Sequence, residues 1–111
     1  MQFLLLIYEN EQRFATNYDP GEMDEYVAFG KQHQASIKGS NALQPTATAS
    51  SVRVRDGKAL TTDGPFAETK EQLGGYYLIE CDDLDAAIEI AGGIPGAAFG
   101  SIEIRPIRSL S

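Results

Sequence analysis

The sequence has one cysteine, one histidine and few basic residues, and its longest apolar run covers only Phe3 to Tyr8. Each shortage removes a class of function. A lone Cys81 excludes an intramolecular disulfide and every multi-cysteine metal cage, and at the end of an apolar segment it reads as a small packing residue rather than a reactive thiol. With a single His33 as its only imidazole, the chain has no zinc-ligand spacing, so no metal and no cofactor are expected. Sixteen acidic residues against nine basic ones give a net charge of −7, which repels a phosphate backbone and argues against direct nucleic-acid binding. Six apolar residues cannot span a bilayer, and the N-terminus shows neither the basic segment nor the cleavage site of a signal peptide, so a cytoplasmic location is expected.

Other motifs are missing as well. No G-x-S-x-G surrounds a serine, and Gly74-Gly75 precedes a strand where a phosphate-binding loop needs a helix. Asp82, Asp83 and Asp85 lack the spacing of a calcium loop and read as helix caps. There are no internal repeats, linkers or low-complexity tails, so residues 1–111 are expected to form one domain.

What is present has the composition of a globular chain, 42% hydrophobic and 23% charged. The unbroken "FLLLIYE" predicts a strand covered on both faces. In "DPGEMDEYVAFGKQHQASIKG", Asp19 is placed as an N-cap, Pro20 at the first helical position, Glu22 three residues after the cap and Gly39 past the end, with Met23, Tyr26, Gly30, His33 and Ile37 on the inward stripe. Gly39 to Ser51 reads as a loop. "SVRVRDGKALTTD" predicts two strands joined at Asp56-Gly57, and "GGYYLIEC" a further strand. A helix follows, capped by Asp82 or Asp83, with Leu84, Ala87, Ile88 and Ala91 inward and Gly92-Gly93 as its stop. "SIEIRPI" closes the chain as an edge strand.

This order fits an α+β fold of the ferredoxin-like split βαβ type with an added hairpin strand, an antiparallel sheet carrying both helices on one face. The bare sheet face then needs a cover. A second copy packed sheet to sheet supplies it, which predicts a homodimer.

Two residues frame a candidate acid-base pair. His33 falls on the inward stripe as the chain's one imidazole, a side chain suited to acid-base work, but a lone histidine on such a face is also a common core residue. Asp63, before Gly64-Pro65, either bonds its own turn or orients the imidazole. Glu68, Lys70 and Glu71 form either a solvated loop or the mouth of a cleft, and Arg53 faces solvent or an anionic ligand.

The stretch "DGKALTTDGPFAETKEQLGGYYLIECDDLDAAIEIA", with "GSIEIRPI" at the end, resembles the YCII-related, or DGPF-domain, family of YciI-like proteins. The resemblance spans Phe3 to Ile107. It implies a ferredoxin-like fold that dimerises into an α+β barrel, and a small-molecule enzyme of lyase or hydrolase type, or a ligand-binding protein, using His33 and Asp63 in a cleft on a small polar or aromatic substrate. Arg53, Phe66, Glu68, Lys70, Glu71 and Tyr76 are then candidate ligand-binding residues. The family's occurrence beside extracytoplasmic-function sigma factors implies a second class of function, a non-catalytic regulatory or protein-binding module with a sigma factor as partner.

Overall fold

Strand β1 (Gln2–Glu9) is built from the apolar run near the N-terminus, and its buried residues, Phe3, Leu5, Ile7 and Glu9, alternate with half-buried Leu4, Leu6 and Tyr8. Successive strand side chains point to opposite faces, so the first set defines an inner face and the second an outer one. The computed structural model describes residues 1–13 and 19–109. The elements that follow are α1 (Gly21–Gln32), β2 (Ile37–Ala42), β3 (Ser50–Arg55), β4 (Lys58–Asp63), β5 (Gln72–Glu80), α2 (Leu84–Gly92) and β6 (Ser101–Pro106).

Four strands form an antiparallel-paired sheet in the order β2-β5-β1-β6. Helix α1 connects β1 to β2 with β5 between them, and α2 connects β5 to β6 with β1 between them. This is the split βαβ arrangement of a ferredoxin-like α+β fold. The core joins Phe3, Leu5, Ile7 and Ile79 of the sheet to Phe29 of α1, to Ala87, Ile90 and Ala91 of α2, and to Ile94. Both helices therefore lie on the inner face. Register puts Leu4, Leu6, Tyr8, Tyr76 and Leu78 together on the outer face. Among the described residues no helix is long and apolar enough to cross a membrane.

Local chemistry accounts for the helix ends. Asp19 Oδ1 accepts the Gly21 amide at 2.9 Å and its carbonyl accepts that of Glu22 at 3.0 Å, while Pro20 already has helical angles. Asp83 caps α2 by accepting the Ala86 amide at 2.9 Å, and Gly93 ends it.

Three expectations are corrected. Helix α1 stops at Gln32 rather than near Gly39, and the stretch taken for helix end and loop contains β2. The His33 carbonyl accepts the Ser36 and Ile37 amides, turning the chain so that Ile37 pairs with Ile79. That pairing is a long-range demand that local propensity does not register. On α1 the inward residues are Glu22, Tyr26 and Phe29, and Met23 is 58% exposed. On α2 they are Ala87, Ile90 and Ala91; Leu84 and Ile88 face outward. The small Ala87 and Ala91 let that helix lie close on the sheet, and this selects the docked face.

The hairpin is separate from the main sheet. Asp56 (φ 51°) and Gly57 (φ 75°) are both left-handed, as a two-residue type I′ turn requires. Strands β3 and β4 pair only with each other, and every residue in them except Ser51 is exposed. One face carries Val52, Val54, Ala59 and Thr61, with Asp63 at its base; the other carries Arg53, Arg55, Lys58 and Leu60. The arm makes the molecule extended, with a radius of gyration of 16.0 Å against about 13 Å for a compact domain of similar length.

Candidate functional site: a cleft with a buried ion triad

A cavity of about 520 Å³ opens between the N-terminal half of α1 and the β2–β5 side of the sheet. Its apolar wall includes Ile7, Met23, Tyr26, Leu43, Pro45 and Tyr77, and its polar groups include Glu9, Glu11, Glu22, Asn41 and Gln72. The size and mixture suit a small organic ligand.

Two carboxylates reach the cavity from buried positions. Glu9 continues the inward series Phe3, Leu5, Ile7 and is 4% exposed. Glu22, also 4% exposed, sits in the first turn of α1, where the helix dipole favours an anion. Arg13 compensates both. Its guanidinium holds Glu22 bidentately, at 3.0 Å and 2.9 Å, and donates a third bond to Glu9 Oε2. Its central carbon lies 4.1 Å from the centre of the Phe99 ring, a cation–π contact. The hydrogen bonding of Arg13 to Glu22 leads the effects that push the Arg13 pKa upward against the cost of burial, so the cation is permanent.

Neighbouring groups fix this geometry. A Cβ on Gly96 would stand 2.2 Å from Glu9 Oε1 and 2.8 Å from the Tyr26 hydroxyl, so only glycine fits. The Gly96 amide donates to Tyr26 Oη at 3.2 Å. Burial, followed by the charge of Glu9, drives the Tyr26 phenol strongly upward, which keeps it protonated and a hydrogen-bond donor. Burial also raises Tyr77, whose ring stands edge-on to Phe29 at 5.0 Å. At the mouth, the Glu11 carboxylate accepts the Thr46 amide at 2.7 Å and the Thr46 hydroxyl at 2.8 Å, tying the loop after β2 to the end of β1.

The two residues expected to form an acid-base pair are not brought together within one chain. His33 is half-buried at the C-terminal end of α1, its ring 4.8 Å from that of Phe29. Asp63 is exposed at the end of β4, held on the arm by its pairing with Ser50 and by the Gly64 turn that follows. Among the described residues no hydrogen bond or ion pair joins them, and neither lines the cavity. Tyr76 does line it, and its hydroxyl accepts a bond from Asn41 at 2.8 Å. Arg53 and Phe66 share a hollow on the arm with Leu60 and Pro65. Glu71 accepts a bond from Ser101 at 2.9 Å, and Glu68 and Lys70 are exposed. Cys81 is half-buried beside the core, with its thiol pKa raised by burial. Among the described residues no cluster of three or more His, Cys, Asp or Glu is placed to hold a metal ion.

Sequence reasoning passed over Glu9 and Arg13 and read Glu22 only as a helix-start signal, whereas its carboxylate binds Arg13. One signal was available: Glu9 falls in register with three buried apolar residues, where an acid needs a partner.

The family described as the YCII-related domain matches residues 1–111. The chain belongs to this family. An uncharacterised protein of Rhizobium meliloti (strain 1021) is 48% identical over 85 residues, which are 75% of this chain but only 64% of that relative's length. Among solved structures, 5-chloro-2-hydroxyhydroquinone dehydrochlorinase from Burkholderia phenoliruptrix AC1100, in complex with 2,5-dihydroxybenzoquinone, aligns with a TM-score of 0.61. The alignment covers 97% of this chain and 94% of that one at 12% identity, so the likeness is one of fold.

Proposed function

We propose that this YCII-related protein is a homodimeric enzyme acting by acid-base chemistry on a small, ring-sized, hydroxylated molecule held in the cleft beside α1. The observation that carries the proposal is the cavity of about 520 Å³, in which largely apolar walls surround two buried carboxylates and a protonated phenol. Flat apolar surface accepts a ring, and the polar groups fix its substituents.

Glu22 commits both oxygens to Arg13, whereas Glu9 commits Oε2 alone. Glu9 Oε1 accepts no hydrogen bond among the described residues and is available to take a proton from a ligand hydroxyl or carbon acid. Tyr26 supplies the matching donor. The acid-base roles thus pass from His33 and Asp63 to Glu9 and Tyr26. A ligand class of hydroxylated quinones and hydroquinones suits this donor and acceptor, and the fold is shared with an enzyme solved in complex with such a quinone. The half-buried outer face with Leu4, Leu6 and Leu78 supports the homodimer.

Titration with 2,5-dihydroxybenzoquinone, followed by amide chemical shifts, tests the assignment. Shifts are expected at Ala42, Gly74 and Gly75, and Tyr26→Phe should weaken binding about tenfold, the worth of one hydrogen bond. Shifts confined to the arm, or a Tyr26→Phe protein that binds unchanged, would remove the cleft from the function. A non-catalytic protein-binding module expects the cleft to stay empty across a panel of such ring compounds.

A further inference from the structure

Among the described residues, the β3–β4 arm pairs with no other strand of its own chain. A two-stranded hairpin is marginal in water unless a further strand or layer covers it, yet both strands pair only with each other and are exposed along their length. Val52 is 63% and Val54 61% exposed, side by side on one face. Phe66, just past the arm, is 80% exposed. Left in solvent, this is a ribbon with one apolar face, a liability that folded chains remove by pairing or covering.

We propose that the arm is a clasp for a second copy of this chain: its Val52, Val54 and Ala59 face packs on the partner subunit's body, so that Asp63 and Phe66 act at the interface between copies. The inference rests on the homodimer proposed above and adds what the arm does in it. Each copy has one uncovered apolar arm face and one uncovered apolar sheet face, so a twofold pair satisfies both sets of surfaces and closes without leaving a free one. Charge favours the same occupant. The arm's second face carries Arg53, Arg55 and Lys58 in a chain of net charge −7, so the body is more acidic than the whole and attracts the arm of a neighbouring copy. The reach is available, since strands of six residues extend about 20 Å and the molecule measures 47 × 45 × 18 Å. Asp63 shares the Val52 and Val54 face, so burial of that face brings its carboxylate against the partner. This gives Asp63 and Phe66, both exposed in their own chain, a role across the interface.

The test combines sedimentation equilibrium with hydrogen exchange of the arm and isotope-filtered NOEs in a mixture of labelled and unlabelled protein. A dimer is expected, with amides of residues 52–62 protected at high concentration and exchanging freely on dilution, and with NOEs from Val52 and Val54 methyls to the other chain. The double substitution Val52→Asp, Val54→Asp should weaken the dimer about a hundredfold, whereas Leu84→Asp, on the exposed side of α2, should not. A dimer whose arm exchanges at free-hairpin rates and gives no intermolecular NOE overturns the clasp and leaves the homodimer standing. Arm protection that persists in a monomer shows that the arm packs on its own chain, and also overturns it. A wild-type protein that is monomeric with an unprotected arm overturns the homodimer as well and points to a different protein as occupant.

Discussion

Replacing Arg13 by methionine keeps most of the side-chain volume and removes the charge that holds Glu9 and Glu22. Both carboxylates are nearly inaccessible, with side chains 5% exposed, and Arg13 itself is 15% exposed. They would be left facing each other and the Tyr26 hydroxyl with three hydrogen bonds gone. Removing one member of a buried ion cluster costs about 3 kcal/mol or more, because the remaining charges stay desolvated without a partner. For 111 residues, with about 2.1 cal/mol/K of unfolding entropy per residue, that lowers Tm by about 13 °C. The assay is calorimetry of wild type, Arg13→Met and the triple variant Glu9→Gln, Arg13→Met, Glu22→Gln. The triple variant should recover most of the loss, since replacing a whole buried cluster by neutral groups is often close to neutral. An Arg13→Met protein within about 1 kcal/mol of wild type, the range of exposed pairs, would show that water screens the triad and would remove the reason for calling it buried.

Gly96→Ala should be among the more damaging single-methyl additions in the chain, because its Cβ meets Glu9 Oε1 at 2.2 Å and the Tyr26 hydroxyl at 2.8 Å; a loss of about 1–3 kcal/mol is expected by urea unfolding, together with weaker quinone binding, whereas Gly30→Ala, with nothing within 4 Å, should be harmless to both. Tyr26 makes stability fall at alkaline pH. Its folded pKa is raised, so above the unfolded value of about 10 the unfolded chain releases a proton that the folded chain keeps, and unfolding becomes easier as pH rises. Tyr26→Phe should flatten that slope between wild type and variant while costing about 1 kcal/mol at neutral pH for the Gly96 amide it leaves without an acceptor; parallel slopes in the two proteins would contradict the assignment.

Much of the fold was legible because its signals are local. Asp56-Gly57 is a type I′ turn by side-chain chemistry alone, Asp82 and Asp83 both announce a helix start, and the unbroken apolar run of β1 marks a strand covered on both faces. The split βαβ order was reached with a hairpin strand standing where β2 belongs, because Ile37–Ala42 carries no local strand signal and the whole hairpin lies outside the main sheet. The site was less legible because it is assembled from residues distant in the chain. Nothing near Arg13 announces Glu22 as its partner, and Tyr26 finds its donor at Gly96. His33 and Asp63 drew notice as chemically capable types in suggestive positions, but capability is local and proximity is not.

Sequence by itself determined that β1, the hairpin arm, β5 and β6 are strands and that a helix follows β1 and β5, together with the hairpin turn, since each depends on backbone preference or on a period shared by neighbouring residues. Tertiary structure alone decided that Ile37–Ala42 is a strand, which faces of the helices dock, and that Glu9, Arg13 and Glu22 meet. Those outcomes are set by long-range pairing, by the close approach that Ala87, Ala91 and Gly96 permit, and by the need of a buried carboxylate for a cation.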